Sequence, residues 1–190
     1  VIKKGISAIR NELPSIIEDA ENDLTVMSKA FFNKLLEEFR AMDDLLVHCD
    51  TKIQIANKNN DVCTRLGDVL SIGAITSIAL YAAAGDGKDF VNGRHLSAWI
   101  GLVPGQHSTG GKPRLLDISK RGISYLRTLL IHGARVVLRH SEKKNDRFSL
   151  WAQALLKRRG HNKACVAVAN KLARIAWVIM AKGETYRPAM

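Results

Sequence analysis

The sequence predicts a mostly α-helical chain, and three observations carry that expectation. Apolar residues recur at spacings of three and four along most of the chain, the period of one helix face. Runs of alternating β-branched residues, which would mark half-buried strands, are absent. Thr, Asn, Gly and Pro punctuate the pattern where helices start and stop.

Residues 1–62 read as a linker helix followed by a coiled-coil segment. Pro14 is expected in a first helical turn, where its missing N–H costs nothing. Thr25 is the expected N-cap of a second, longer helix. Along that helix Leu35, Met42, Cys49 and Ala56 form one apolar seam, and Phe32, Phe39, Leu46 and Ile53 form another. The heptad spacing fits either a helix packed on its own domain or a coiled coil that pairs two copies of the chain.

Residues 63–190 read as a helical domain. Leu66, Val69, Leu70 and Ile72 lead into Gly73 and a small-residue helix from about Thr76 to Ala84, which Gly85 would stop. This stretch looks like a degenerate helix–hairpin–helix, with Ser71 where the pattern has glycine. It fits a turn presenting backbone N–H groups to a phosphate, and equally a tight turn in a core. Asn92-Gly93 is expected to cap a short helix from Arg94 to Ile100, with Gly101 as its stop. The segment 102–116 holds Pro104, Gly105, Gly110, Gly111 and Pro113 and cannot be a regular helix. Three helices should follow: about Ile123 to Arg139, Ser149 to Arg159, and Lys163 to Lys182. The last has Asn162 as its expected N-cap and Gly183 as its stop.

Charge narrows the function. The 190 residues include 46% hydrophobic positions, which excludes a wholly disordered chain. Lys and Arg number 29 against 18 Asp and Glu, a net of +11. Residues 1–85 hold 9 basic and 12 acidic side chains, whereas 86–190 hold 20 and 6. The second half therefore carries the whole positive field, and a polyanion is the expected partner. Cys49, Cys63 and Cys165 are too widely spaced for a disulfide framework or a metal pair, which fits a reducing cytosol and no metal site. No membrane partner is expected. The longest apolar run, Ile72 to Ala84, is too short to cross a bilayer, and Lys171 and Arg174 interrupt the run from Cys165 to Ala181.

The segment Gly101-Leu102-Val103-Pro104-Gly105-Gln106-His107-Ser108-Thr109-Gly110-Gly111-Lys112 is the most informative. Gly110 and Gly111 after a hydroxyl residue let backbone approach a phosphate closely. Lys112 and Arg114 bring positive charge to the same place, and Lys120 and Arg121 add two cations before the next helix, which carries Arg127. A nucleophile attacking a phosphodiester needs such surroundings, because cations and backbone donors stabilise the charge that builds on the phosphoryl oxygens. On spacing alone a Ser-Thr-Gly-Gly segment is more often a plain turn. His107 is expected to have a structural or phosphate-contacting role. On the last helix Lys163, Lys171, Arg174 and Lys182 share an arc of about 100°, opposite Val166, Ala169, Ala173, Ala176, Trp177 and Met180. A cationic stripe backed by core suits phosphate-backbone binding.

The stretch "GRHLSAWIGLVPGQHSTGGKPRLLDISKRGISYLRTLLIHGARVVL" closely resembles the C-terminal domain of the insertion sequence 110/1111/116 transposases, recombinases guided by a bridge RNA. The resemblance covers roughly residues 63–183, and "LPSIIEDAENDLT" looks like that family's linker. It implies a helical serine transposase domain that acts with an N-terminal RuvC-like domain carrying acidic residues and Mg²⁺. It implies Ser108 as the nucleophile that forms a covalent phosphoserine with DNA, with Gly110, Gly111, Lys112, Lys120 and Arg121 as phosphate neighbours. It also implies donor and target DNA and a guide RNA as partners, a dimer or tetramer, and a place at the nucleoid in the bacterial cytoplasm. The chain begins with Val, and no strand-rich segment with spaced Asp and Glu precedes its helices. A fragment that binds nucleic acid but does not cleave it alone is therefore expected. The alternative is a non-catalytic nucleic-acid-binding and oligomerisation module.

Overall fold

The structure, a computed structural model, describes residues 5–109 and 112–187, and for residues 108, 109, 112, 113 and 115 it describes the backbone alone. Among the described residues it holds eight helices and one two-stranded sheet. The chain is therefore mostly helical, as its periodicity predicts. It divides into two compact units, residues 1–52 and 53–190.

The first unit contains α1 (Ile6–Glu18) and most of α2 (Val26–Lys58). Thr25 starts α2 as expected, its hydroxyl oxygen accepting from the Ser28 N–H at 3.1 Å. Pro14 does not lie in a first turn but in the second half of α1, where its missing N–H removes the helical donor to the Arg10 carbonyl. Ile17 and Leu36 are buried. Arg10 ion-pairs with Asp43 and lies over the Phe39 ring. Leu36, which belongs to neither heptad seam, thus lies on the covered side of α2. Leu35, Met42 and Leu46 are exposed.

The second unit opens with the end of α2 and α3 (Asp61–Gly67), then α4 (Ala74–Ala84) and α5 (Gly93–Trp99). Asn92 caps α5 through its side-chain oxygen, which accepts from the N–H groups of Arg94 and His95 at 2.9 and 3.0 Å. The turn between α3 and α4 faces the core. Val69 and Ile72 are buried, and a Cβ at Gly133 would stand 2.9 Å from the Ser71 carbonyl oxygen. Gly73, the N-cap of α4, is exposed.

The segment 102–116 is not an irregular loop. It contributes strand β1 (Pro104–Thr109), which pairs antiparallel with β2 (Lys112–Ile118). The register sets His107 opposite Arg114 and Ser108 opposite Pro113, with an irregularity between Pro104 and Gln106. Periodicity could not announce this hairpin, because its strands lack β-branched alternation and owe their form to backbone pairing.

Three helices complete the unit: α6 (Ser124–Ser141), α7 (Arg147–Arg159) and α8 (His161–Lys182). Gly160, not Asn162, caps α8, and Asn162 lies inside its first turn. Helix α8 is the axis of the core and packs on α3, α5, α6 and α7. Val168, Ala169, Leu172, Ala173 and Ala176 on α8 are fully buried with Leu96, Leu126, Leu130 and Val137. Each buried Leu or Val contributes about 1.5–3 kcal/mol of transfer free energy. Helix α8 is long and apolar enough to cross a membrane by length and composition, but its apolar side is used in this core.

Candidate nucleic-acid interface

Burying one side of α8 leaves Lys163, Lys171 and Arg174 on the other. Helix α6 presents a matching stripe, since Arg127, Ile131 and Arg135 are spaced by four and share a face. Between these stripes runs a groove of about 1170 Å³, closed at one end by Pro104, Leu116, Ile118 and Lys120 at the base of the hairpin. Lys120, Arg127, Arg135, Lys163, Lys171 and Arg174 line it with a single carboxylate, Asp117. Among the described residues none of these cations pairs with an acid, since the salt bridges all lie elsewhere. Six cations facing one concavity repel each other and hold an anion-attracting potential.

The junction between hairpin and helices is rigid. Gly101 (φ 83°) and Gly122 (φ 96°) adopt the left-handed region. A Cβ at Gly101 would stand 2.1 Å from the Arg121 carbonyl oxygen, and one at Gly122 1.8 Å from that of Trp99. Only glycine permits both the conformation and the approach. Arg127 Nη1 donates to the Ile100 carbonyl at 3.0 Å, and the Ser119 N–H donates to the Val103 carbonyl at 2.8 Å. The base of the hairpin is thereby tied to α5 and α6.

The structure brings together five of the residues singled out from sequence: Lys120, Arg127, Lys163, Lys171 and Arg174 all border the groove. Arg127 does so while one of its N–H groups is committed to the Ile100 carbonyl. Arg114 is exposed on β2, and Arg121 is exposed with its carbonyl against Gly101; neither lines the groove. Ser108 and Lys112 lie on paired strands near the free end of the hairpin. Gly110 and Gly111 fall outside the described residues.

Sequence reasoning missed Arg135, Arg147 and Trp151. Arg135 was legible as the second cation on the Arg127 face. Trp151 follows Arg147 by one helical turn and borders the groove, but an isolated Trp in a helix reads as core. Lys171 Nζ lies 4.2 Å above the Trp151 ring and 4.7 Å above that of Phe148. Burial, with Arg147 and Arg174 nearby, lowers the pKa of the Lys171 ammonium. Burial raises the pKa of the Cys165 thiol, so Cys165 is a poor candidate nucleophile. Among the described residues no group of three or more His, Cys, Asp and Glu is placed to hold a metal ion.

Comparison with known proteins decides among the families that use such an interface. Residues 63–149 match the model described as the Transposase IS116/IS110/IS902 family. The match runs from α3 through α4, α5, the hairpin and α6 into the first turn of α7. A "Transposase for insertion sequence element IS1111A" from Coxiella burnetii is 45% identical over 184 residues, which is 97% of this chain and 50% of that protein. A "Probable family 20 transposase" from Pseudomonas aeruginosa is 41% identical over 186 residues, 98% of this chain and 55% of its own length. A "Transposase for insertion sequence element IS1328" from Yersinia enterocolitica is 34% identical over 183 residues, 96% of this chain and 54% of its own length. The chain spans about half the length of these relatives. Together these likenesses support the IS116/IS110/IS902 transposase family.

Proposed function

We propose that this chain is the DNA-engaging serine domain of an insertion-sequence transposase, and that Ser108 is its nucleophile. The observation that carries the reading is the six-cation groove at whose rim the Ser108 hairpin is rooted. At about 3.3 Å per residue, the four steps from Pro104 to Ser108 span about 13 Å. Ser108 would then be carried on an arm beyond the groove, while the groove holds the flanking phosphates. In the proposed step the serine Oγ attacks phosphorus, the Oγ–P bond forms, and the bond to the departing strand's oxygen breaks. That oxygen leaves with a proton, and the hydroxyl proton passes to a base. Lys112 and Arg114 are proposed to offset charge on the phosphoryl oxygens, while Lys120 at the hairpin base faces the flanking phosphates in the groove.

Donor and target DNA and a guide RNA are the proposed partners. The Mg²⁺ chemistry that the family resemblance implies is assigned to acidic residues of a RuvC-like domain, not to residues of this chain. The chain alone is accordingly proposed to bind DNA without cutting it. The proposed setting is the bacterial cytoplasm at the nucleoid. The decisive test is Ser108→Ala in the full-length transposase supplied with Mg²⁺, guide RNA and cognate DNA. Strand exchange and the covalent protein–DNA adduct should vanish while DNA binding persists. An adduct formed by the variant would overturn the assignment.

A second role is favoured by one observation. Phe31, Leu35, Met42, Leu45 and Leu46 of α2 are all exposed and fall on a single helical stripe, away from Leu36. We propose that this stripe pairs with that of a second copy, giving the dimer or tetramer on which recombination between two DNA duplexes depends.

A further inference from the structure

We propose that the cleft between α7, α8 and residues 183–187 takes an unpaired nucleotide, with its base stacked on Trp151 and its phosphate among Arg147, Lys171 and Arg174. The proposal rests on the nucleic-acid reading above and adds to it the single-stranded state of the ligand at this point.

The cleft encloses about 930 Å³ and is lined by Arg147, Phe148, Trp151, Lys171, Tyr186 and one carboxylate, Glu184, among others, with Arg174 beside Lys171 at its edge. One wall is aromatic. Phe148 and Trp151 are stacked, with centroids 5.7 Å apart and planes 14° apart. Lys171 covers that wall, its ammonium 4.2 Å from the Trp151 centroid. Arg147 and Arg174 flank Lys171, and among the described residues none of the three has a carboxylate partner. Three neighbouring cations thus lie without an ion-pair partner beside a partly buried indole that carries an ammonium over its face.

The comparison between two tryptophans sharpens the point. The Trp177 indole N–H donates to the carbonyls of Gly87 and Phe90 at 3.0 and 3.1 Å, so that ring is a structural tie. The Trp151 N–H has no hydrogen-bond partner among the described residues. Trp151 also borders the six-cation groove, so a strand leaving the groove meets it next. A phosphodiester entering between Arg147 and Arg174 would draw the Lys171 ammonium off the ring, and the adjoining base would take its place. A base can do so only when unpaired, because in a duplex its faces are already stacked.

The test compares binding of the 190-residue chain to a short oligothymidylate and to an abasic strand of equal length and charge. Fluorescence anisotropy should show the base-bearing strand bound about tenfold more tightly, with quenching of tryptophan emission. Trp151→Ala should remove the preference for the base-bearing strand. Trp151→Phe, which keeps an aromatic face, should retain most of the preference and guards against misfolding of the alanine variant. Equal affinity for the two strands in the wild-type chain would overturn the proposal and leave the nucleic-acid reading standing. Failure to bind either strand or duplex would overturn both. An acidic peptide of matched charge that binds as tightly as oligothymidylate would overturn the nucleotide in favour of a protein ligand.

Discussion

Asn170 holds Ser97 across the centre of the domain. Its side-chain amide donates to Ser97 Oγ at 3.1 Å and to the Leu102 carbonyl at 3.2 Å. Ser97 is fully buried, and its hydroxyl in turn donates to the Arg94 carbonyl at 3.0 Å. One polar side chain therefore joins α8, which carries Lys171 and Arg174, to α5 and to the segment entering the hairpin. Asn170→Leu keeps the branching of the side chain but removes its hydrogen bond to the Leu102 carbonyl. The expected cost is about 1–3 kcal/mol of stability, read by denaturant unfolding. An unchanged midpoint would show that this bridge does not hold the helices together.

Cations that meet phosphates leave a signature in salt. If the groove holds a nucleic-acid backbone, log K should fall linearly with log salt, by about 0.9 for each phosphate neutralised on duplex DNA. Arg135→Ala and Arg174→Ala should each lower that slope by about one. Both side chains are exposed, so stability should hardly change. A slope that the double variant leaves intact would move the binding surface elsewhere.

At Gly122 the constraint is steric. The approach of 1.8 Å to the Trp99 oxygen leaves no room for a methyl group, and φ is +96°. Gly122→Ala should destabilise the domain by about 3 kcal/mol or more, measured by thermal unfolding. Gly160 is the control: it also has a positive φ, but a Cβ there meets nothing within 4 Å, so Gly160→Ala should cost less.

These cases show what a reader of the sequence can and cannot recover. Helix ends marked by side-chain caps were legible, as at Thr25 and Asn92, because capping is local chemistry. The α8 start was misplaced because Gly160 terminates α7 and begins α8 in one residue. The cationic stripe of α8 was legible from its period alone. Its union with Arg135 into one groove was not, because that depends on how α6 crosses α8. The hairpin was hidden for a related reason: Gln106 and Leu115 are paired by register, and neither announces a strand by itself.

Acid should loosen α7 selectively. Asp146 caps that helix, accepting from Ser149 Oγ at 2.6 Å and from the N–H groups of Phe148 and Ser149 at 3.0 Å. These bonds, the Ser149 hydroxyl first, lower its pKa from 3.8. A carboxylate depressed on folding contributes stability above its unfolded value and loses it as pH falls through the lower folded value. Asp146→Asn should cost less than Asp146→Ala, for which about 1 kcal/mol is expected near neutral pH. The alanine variant should converge with the wild-type chain once pH falls below the lowered folded value of Asp146. Parallel stability curves from neutral to strongly acidic pH would contradict the cap.

The exposed stripe of α2 makes the last prediction. Leu35 is 46% exposed and Met42 is 61% exposed, so both leave apolar surface open on α2. Leu35→Glu with Met42→Glu should leave the helical circular-dichroism signal unchanged. If the stripe joins two copies, each side chain contributes about 1.5–3 kcal/mol on burial. Removing both should then weaken association at least about a hundredfold. Sedimentation velocity across a concentration series reads this directly. Leu36→Ala is the informative contrast, because Leu36 is buried: it should lower stability first and affect association only through it. A wild-type chain that stays monomeric at high concentration would leave the stripe without a second copy to cover it and would end the pairing proposal.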